Sequence, residues 1–149
     1  MIKTIFSQPI PAHRHLVPHY HGDNIRQIFV SCAIVLILAI PLIGNLVPYG
    51  AIVEVAVALA YVALAGITNP HSTIIIWCDI AAAAFGIIVL EFTALSLYLS
   101  DSTVLFIVRE GMVVALLFAF YYGIKTLRAR LLGRLGKPDT RVDIEERSA

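Results

Sequence analysis

Five ionisable residues, Glu54, Asp79, Glu91, Arg109 and Glu110, stand inside stretches that are otherwise apolar. In hydrocarbon an isolated charge costs about 2.5–3.5 kcal/mol, so such residues pair with one another, take up a proton or line an ion path. Two roles are open to them. Acids on packed helix faces tie helices together, while acids facing a polar path can bind and release protons or cations. In a chain this short the first role is the expected one. If Ser100–Asp101 forms the tip of a helical hairpin, residues of equal depth on its two arms have numbers that sum to about 201. That rule sets Glu91 level with Arg109 and Glu110, and predicts an Arg109–Glu91 ion pair with Glu110 close by. One cation cannot neutralise two carboxylates, so one of the two acids needs a further partner or a proton. The same rule puts Asp79 beside Tyr121 and Tyr122, whose phenols can donate a hydrogen bond to it.

The elements that must position these residues are four apolar blocks, at 28–47, 51–67, 73–99 and 103–124. Each is close to the roughly 20 residues that a helix needs to cross a hydrocarbon core about 30 Å thick. Hydrophobic residues make up 59% of the 149 and charged residues 14%, which excludes a soluble globular domain. The fold class expected is an all-α membrane protein, an antiparallel four-transmembrane-helix bundle with short loops. Pro48 suits the start of the second helix, and Pro41 should kink the first near its end. Thr68-Asn69-Pro70-His71-Ser72 is a helix break in which Ser72 can cap the third helix. At helical spacing Glu54, Ala58, Tyr61 and Ala65 share one face of the second helix. Asp79, Ala83, Gly86, Leu90 and Thr93 share one face of the third, and small residues such as Ala82 and Gly86 let helices approach closely there. A Pro41 kink near Glu54 could serve as a gate or expose a coordinating carbonyl; the expected role is a plain bend into the Pro48 turn.

Outside the blocks lie a 27-residue N-terminal segment, 1–27, and a C-terminal stretch, 125–149. Residues 1–27 hold no signal-peptide core, so the first block is expected to be a retained anchor. Lys3, Arg14 and Arg26 precede the first block; Lys125, Arg128, Arg130, Arg134, Lys137, Arg141 and Arg147 follow the fourth. The first and third links contain no cation. The positive-inside bias therefore places both termini in the cytoplasm, and Tyr49, Tyr98, Trp77, Tyr121 and Tyr122 fall where interfacial aromatics belong. Lys125, Arg128, Arg130 and Arg134, with interleaved leucines, read as a helix continuing into the interface and contacting acidic lipid headgroups. The expected surroundings are a lipid bilayer with anionic lipid, and the expected partners are further copies or another membrane protein. His13, His15, His19 and His21, with Asp23, could offer ligands to zinc, nickel or copper, but prolines keep that segment irregular and no cysteine assists. A solvated segment is the plainer reading. Cys32 and Cys78 read as small core residues, not as a disulfide. Too few cations and no interleaved aromatics exclude nucleic-acid binding.

The strings HGDNIRQIF, TNPHS and IIVLEFTALSLY resemble small four-span proteins of unknown function from reduced-genome bacteria. That resemblance implies a bacterial inner membrane and assigns no activity and no site residue. Small multidrug exporters are also four-span chains with an intramembrane glutamate, but they would carry the acid in the first span, which here has none. No catalytic or nucleotide-binding motif is present, so neither an enzyme nor a cofactor is expected. The function expected is that of a structural or accessory membrane subunit. A proton- or cation-coupled transporter using Glu54, Asp79 or Glu91 is the alternative, and metal binding at the histidines a third.

Overall fold

The computed structural model describes residues 21–69 and 72–132. They form four helices in chain order: α1 (Gly22–Leu42), α2 (Ala51–Ile67), α3 (Thr73–Ser96) and α4 (Thr103–Leu131). No strand occurs among the described residues. α1, α3 and α4 are long and apolar enough to cross a membrane, whereas α2, with 17 residues, is shorter. The α1–α2 and α3–α4 loops lie at one end of the bundle, called here the loop end. The α2–α3 link, the start of α1 and the end of α4 lie at the other, the terminal end.

α1 starts at Gly22 and stops at Leu42, so the block expected at 28–47 is shifted toward the N-terminus. Pro41 ends this helix instead of kinking it. Proline has no N–H to donate and its ring crowds the carbonyl four residues back, so the helix survives only one residue beyond it. The amides of Ile43 and Gly44 both close on the Ala39 carbonyl at 2.9 Å, and Gly44 takes the positive φ, +105°, that a helix stop favours in glycine. The freed residues then turn inward: Leu46 and Val47 are 0% and 7% exposed. Tyr49 turns the chain back out with φ 73°, a conformation uncommon outside glycine, and leads through Gly50 into α2.

Ser72 and Ser102 begin α3 and α4 as side-chain caps, their hydroxyl oxygens accepting from the Ile75 and Leu105 amides at 3.4 and 3.3 Å. α3 ends at Ser96 instead of 99. α4 runs past 124 to Leu131, with Arg128 and Arg130 in its last turn, where cations complement the helix dipole.

The helices pack unequally. α3 and α4 form the most extensive seam, followed by α1 with α2 and α1 with α4, whereas α2 and α3 meet only sparsely. The ring order is therefore α2, α1, α4, α3, with a gap where it would close. Glu54, Ala58, Tyr61 and Ala65 are the buried face of α2. Tyr61 stacks on Phe29 of α1 at 5.2 Å between ring centroids, and its hydroxyl rests on the bare backbone of Gly86 in α3. A Cβ at Gly86 would overlap that hydroxyl and lie 2.9 Å from Leu116 Cδ1 of α4. One glycine thus lets three helices meet. Cys32 is buried and Cys78 is exposed, so only the first is a core residue; neither is paired.

Gly86→Ala should therefore destabilise the bundle by about 1–3 kcal/mol, the usual range for overpacking. Thermal unfolding in detergent should show a smaller loss for the same change made with Tyr61→Phe, because the overlapping oxygen is then gone. Equal losses in the two backgrounds would contradict this packing.

Candidate functional site

The strongest polar constellation joins the loop after α1 to the first turn of α2 and to α4. Glu54 is fully buried, and both of its carboxylate oxygens lie 3.1 Å from the Leu46 amide, which donates to them. Arg109, 2% exposed, grips the same loop from the other side. Its Nε donates to the Leu46 carbonyl at 2.9 Å and its Nη2 to the Asn45 carbonyl at 3.1 Å. Its Nη1 pairs with the Asp101 carboxylate at the α3–α4 turn. The Asn45–Leu46 peptide thus gives its N–H to an acid and its C=O to a cation. The next peptide's carbonyl also goes to the cation. A planar guanidinium can address three acceptors in this fashion; an ammonium cannot.

The expected Arg109–Glu91 pair is not formed. Among the described residues the ion pair of Arg109 is with Asp101, and neither Glu91 nor Glu110 has a hydrogen bond or ion pair. The cause is the direction of side chains. Every Cα–Cβ bond leans toward its own helix N-terminus. On antiparallel α3 and α4, Arg109 therefore leans toward the loop end and Glu91 away from it, although their Cα atoms are level. Asp101, eight residues before Arg109 in the α3–α4 turn, lies in the direction of lean. In the sequence Asp101 stands out only as a turn residue, and the lean of the arginine is the signal that points to it. Glu91 and Glu110, both half-buried, each follow a core position, Leu90 and Arg109, by one residue. A step of 100° on antiparallel neighbours carries both to the same flank of the hairpin. The edge-on contact of Tyr98 with Phe106, 5.4 Å between centroids, lies toward the loop end of that flank.

Asp79 is not beside a phenol donor. Tyr122 packs its ring on His21, 5.4 Å away, and on Tyr121. Asp79, 2% exposed, has instead the Thr68 hydroxyl 3.4 Å from its Oδ1. That hydroxyl is 2.7 Å from the Leu64 carbonyl, so one proton faces two acceptors. Oδ2 has no partner among the described residues.

The gap between α2 and α3 forms a cleft of about 290 Å³ lined by Val53, Val57, Ala82, Val89 and Met112 among others. Among the described residues, the hydroxyls of Tyr49 and Tyr61 are its only polar side-chain groups. At the terminal end the His21 amide donates to Thr126 Oγ1 at 3.3 Å, Lys125 and Arg128 are exposed, and Arg130 is half-buried. His13, His15, His19 and Arg134 lie outside the described residues. Among those described, no three His, Cys, Asp or Glu side chains form a metal-binding group.

The clamp sets its own test. Arg109→Leu strands two loop carbonyls, Asp101 and Glu54 together, and should cost about 3–5 kcal/mol, the range for breaking a buried pair. Glu54→Gln keeps one acceptor and should cost about 1–3 kcal/mol. With Cys78→Ser, a cysteine placed by Val47→Cys should react slowly with a thiol reagent, and at least tenfold faster once Arg109→Leu releases the loop.

Compared with protein-family models, curated proteins and solved structures, the chain matches none.

Proposed function

We propose that this chain is an integral protein of a bacterial inner membrane, with four spans and both termini in the cytoplasm. In this reading it acts without catalysis, as a structural or accessory subunit or a small self-associating bundle. The observation that carries it is the pair of half-buried acids, Glu91 and Glu110, on one flank of the α3–α4 hairpin with no partner among the described residues. Leaving such acids to lipid is costly, and a neighbouring helix with a donor or cation at that depth removes the cost. The buried charges closer to the core, Glu54 and Arg109, are occupied by the chain's own loop and so are not free to carry an ion. Arg26, Lys125, Arg128 and Arg130 gather at the terminal end, as the cytoplasmic orientation requires, and the last three suit anionic headgroups.

A transporter remains the second reading because of one atom. Asp79 Oδ2 is buried without a partner among the described residues, the condition in which a carboxylate takes up a proton or cation. The histidine segment keeps metal binding as a third proposal.

The chain purified in mild detergent should bring down a stoichiometric membrane partner or form a discrete oligomer, and Glu91→Gln with Glu110→Gln should weaken either assembly at least tenfold. A monomer unaffected by these changes would refute the reading. In proteoliposomes, a flux driven by a pH gradient and abolished by Asp79→Asn would replace it with the transporter.

A further inference from the structure

The outer face of the α1–α2 pair carries a groove graded from polar to apolar. Its polar half, about 490 Å³ at the terminal end, is lined by Arg26, Gln27 and Ser31 of α1 and by Val62, Ala65 and Gly66 of α2. Val30 and Val62 join it to an apolar half of about 260 Å³, lined by Ala33, Ile34, Ile37, Ala58 and Leu59. The space at Gly66 is open, a Cβ there meeting nothing within 4 Å, so a large side chain at this position would occupy the mouth. Arg26 is anchored at the mouth by its Nε, which donates to the Ala65 carbonyl at 2.8 Å. Its outward edge is exposed. Asp23, one turn earlier, holds only a loose contact with it, 3.8 Å between Nη1 and Oδ1, with side-chain exposures of 47% for Arg26 and 71% for Asp23.

We propose that this groove holds one zwitterionic glycerophospholipid with a primary-amine headgroup. The phosphate sits on Arg26 and Gln27, the ammonium reaches Asp23, and an acyl chain runs down the apolar half. The assignment rests on the membrane reading above. Charge complementarity chooses the headgroup. A cation and an anion side by side match a phosphate and an ammonium, whereas a headgroup with net negative charge would meet Asp23 unfavourably. The gradient chooses the molecule: charge, then the hydroxyl of Ser31, then aliphatic side chains alone is the order of phosphate, glycerol esters and hydrocarbon. This site is separate from the Lys125–Arg130 stretch, which attracts anionic lipid by charge without a groove.

The full chain is produced in membranes holding both phosphatidylethanolamine and phosphatidylglycerol, extracted gently, and its retained lipid counted by native mass spectrometry. One phosphatidylethanolamine per chain is expected. Retention should fall at least tenfold in Gly66→Leu, which fills the mouth without touching a charge, and in Arg26→Gln, while Asp23→Asn should erase the preference over phosphatidylglycerol. Circular dichroism should report unchanged helix content in Gly66→Leu. Undiminished retention in that variant, equal retention of phosphatidylglycerol by the unaltered chain, or a dimer that Gly66→Leu dissociates would overturn the proposal. A membrane-bound chain retaining no lipid overturns this inference alone, whereas a chain recovered in the soluble fraction overturns the membrane reading with it.

Discussion

Two oppositely charged side chains, Glu54 and Arg109, hold two consecutive peptides of the loop after α1 by their opposite poles. Once Pro41 has ended the helix, the amides and carbonyls of residues 45–47 have no helical partners, and Leu46 and Val47 nevertheless lie in the core. A buried peptide without partners is costly, and so is a buried charge. Each liability here answers the other. The carboxylate receives the amide, the guanidinium receives two carbonyls, and Asp101 balances the guanidinium at the bundle end. The arrangement ties α1, α2 and α4 at one end, where α1 alone would fall short.

Much of this fold was legible in residue spacing. Glu54, Ala58, Tyr61 and Ala65 recur at helical period and are the buried face of α2. The equal-depth rule for the hairpin is met by Gly86 against Leu116 and by Gly123 against Ile80. Short links between apolar blocks left antiparallel neighbours as the only arrangement. The partner of Arg109 was not legible in the same way. Equal depth is a property of backbones, and a long side chain carries its head one or two turns toward its own N-terminus. The loop's part in the clamp was hidden for another reason: its contributions are backbone groups, which no residue type announces. Glu54 could be recognised as an intramembrane acid, but nothing in its neighbours along the chain named an amide eight residues earlier as what it would receive.

The unequal seams divide the bundle into regions with different prospects. Gly86 and Gly123 bring α3 and α4 into close contact, since a Cβ at either would collide with Leu116 or Ile80. The α2–α3 edge touches mainly where Tyr61 meets Gly86 and leaves an apolar cleft beside it. Polar groups are concentrated elsewhere: the clamp at the loop end, Asp79 and Thr68 near the terminal end, and two unpaired acids on the outside of the hairpin. Wholly satisfied charges belong to architecture. Glu91, Glu110 and one oxygen of Asp79 have no such answer among the described residues.

The arginine of the clamp comes 63 residues after the peptide it holds. As the polypeptide leaves the ribosome, α1, its loop and α2 exist before the last helix has been made, so the loop waits with its carbonyls unanswered and the glutamate uncompensated. Synthesis of α4 supplies the missing cation late, and a nascent chain truncated before it would keep a displaced loop. The loop is thus locked from the far end of the sequence, and only a bundle with its last helix in place holds it.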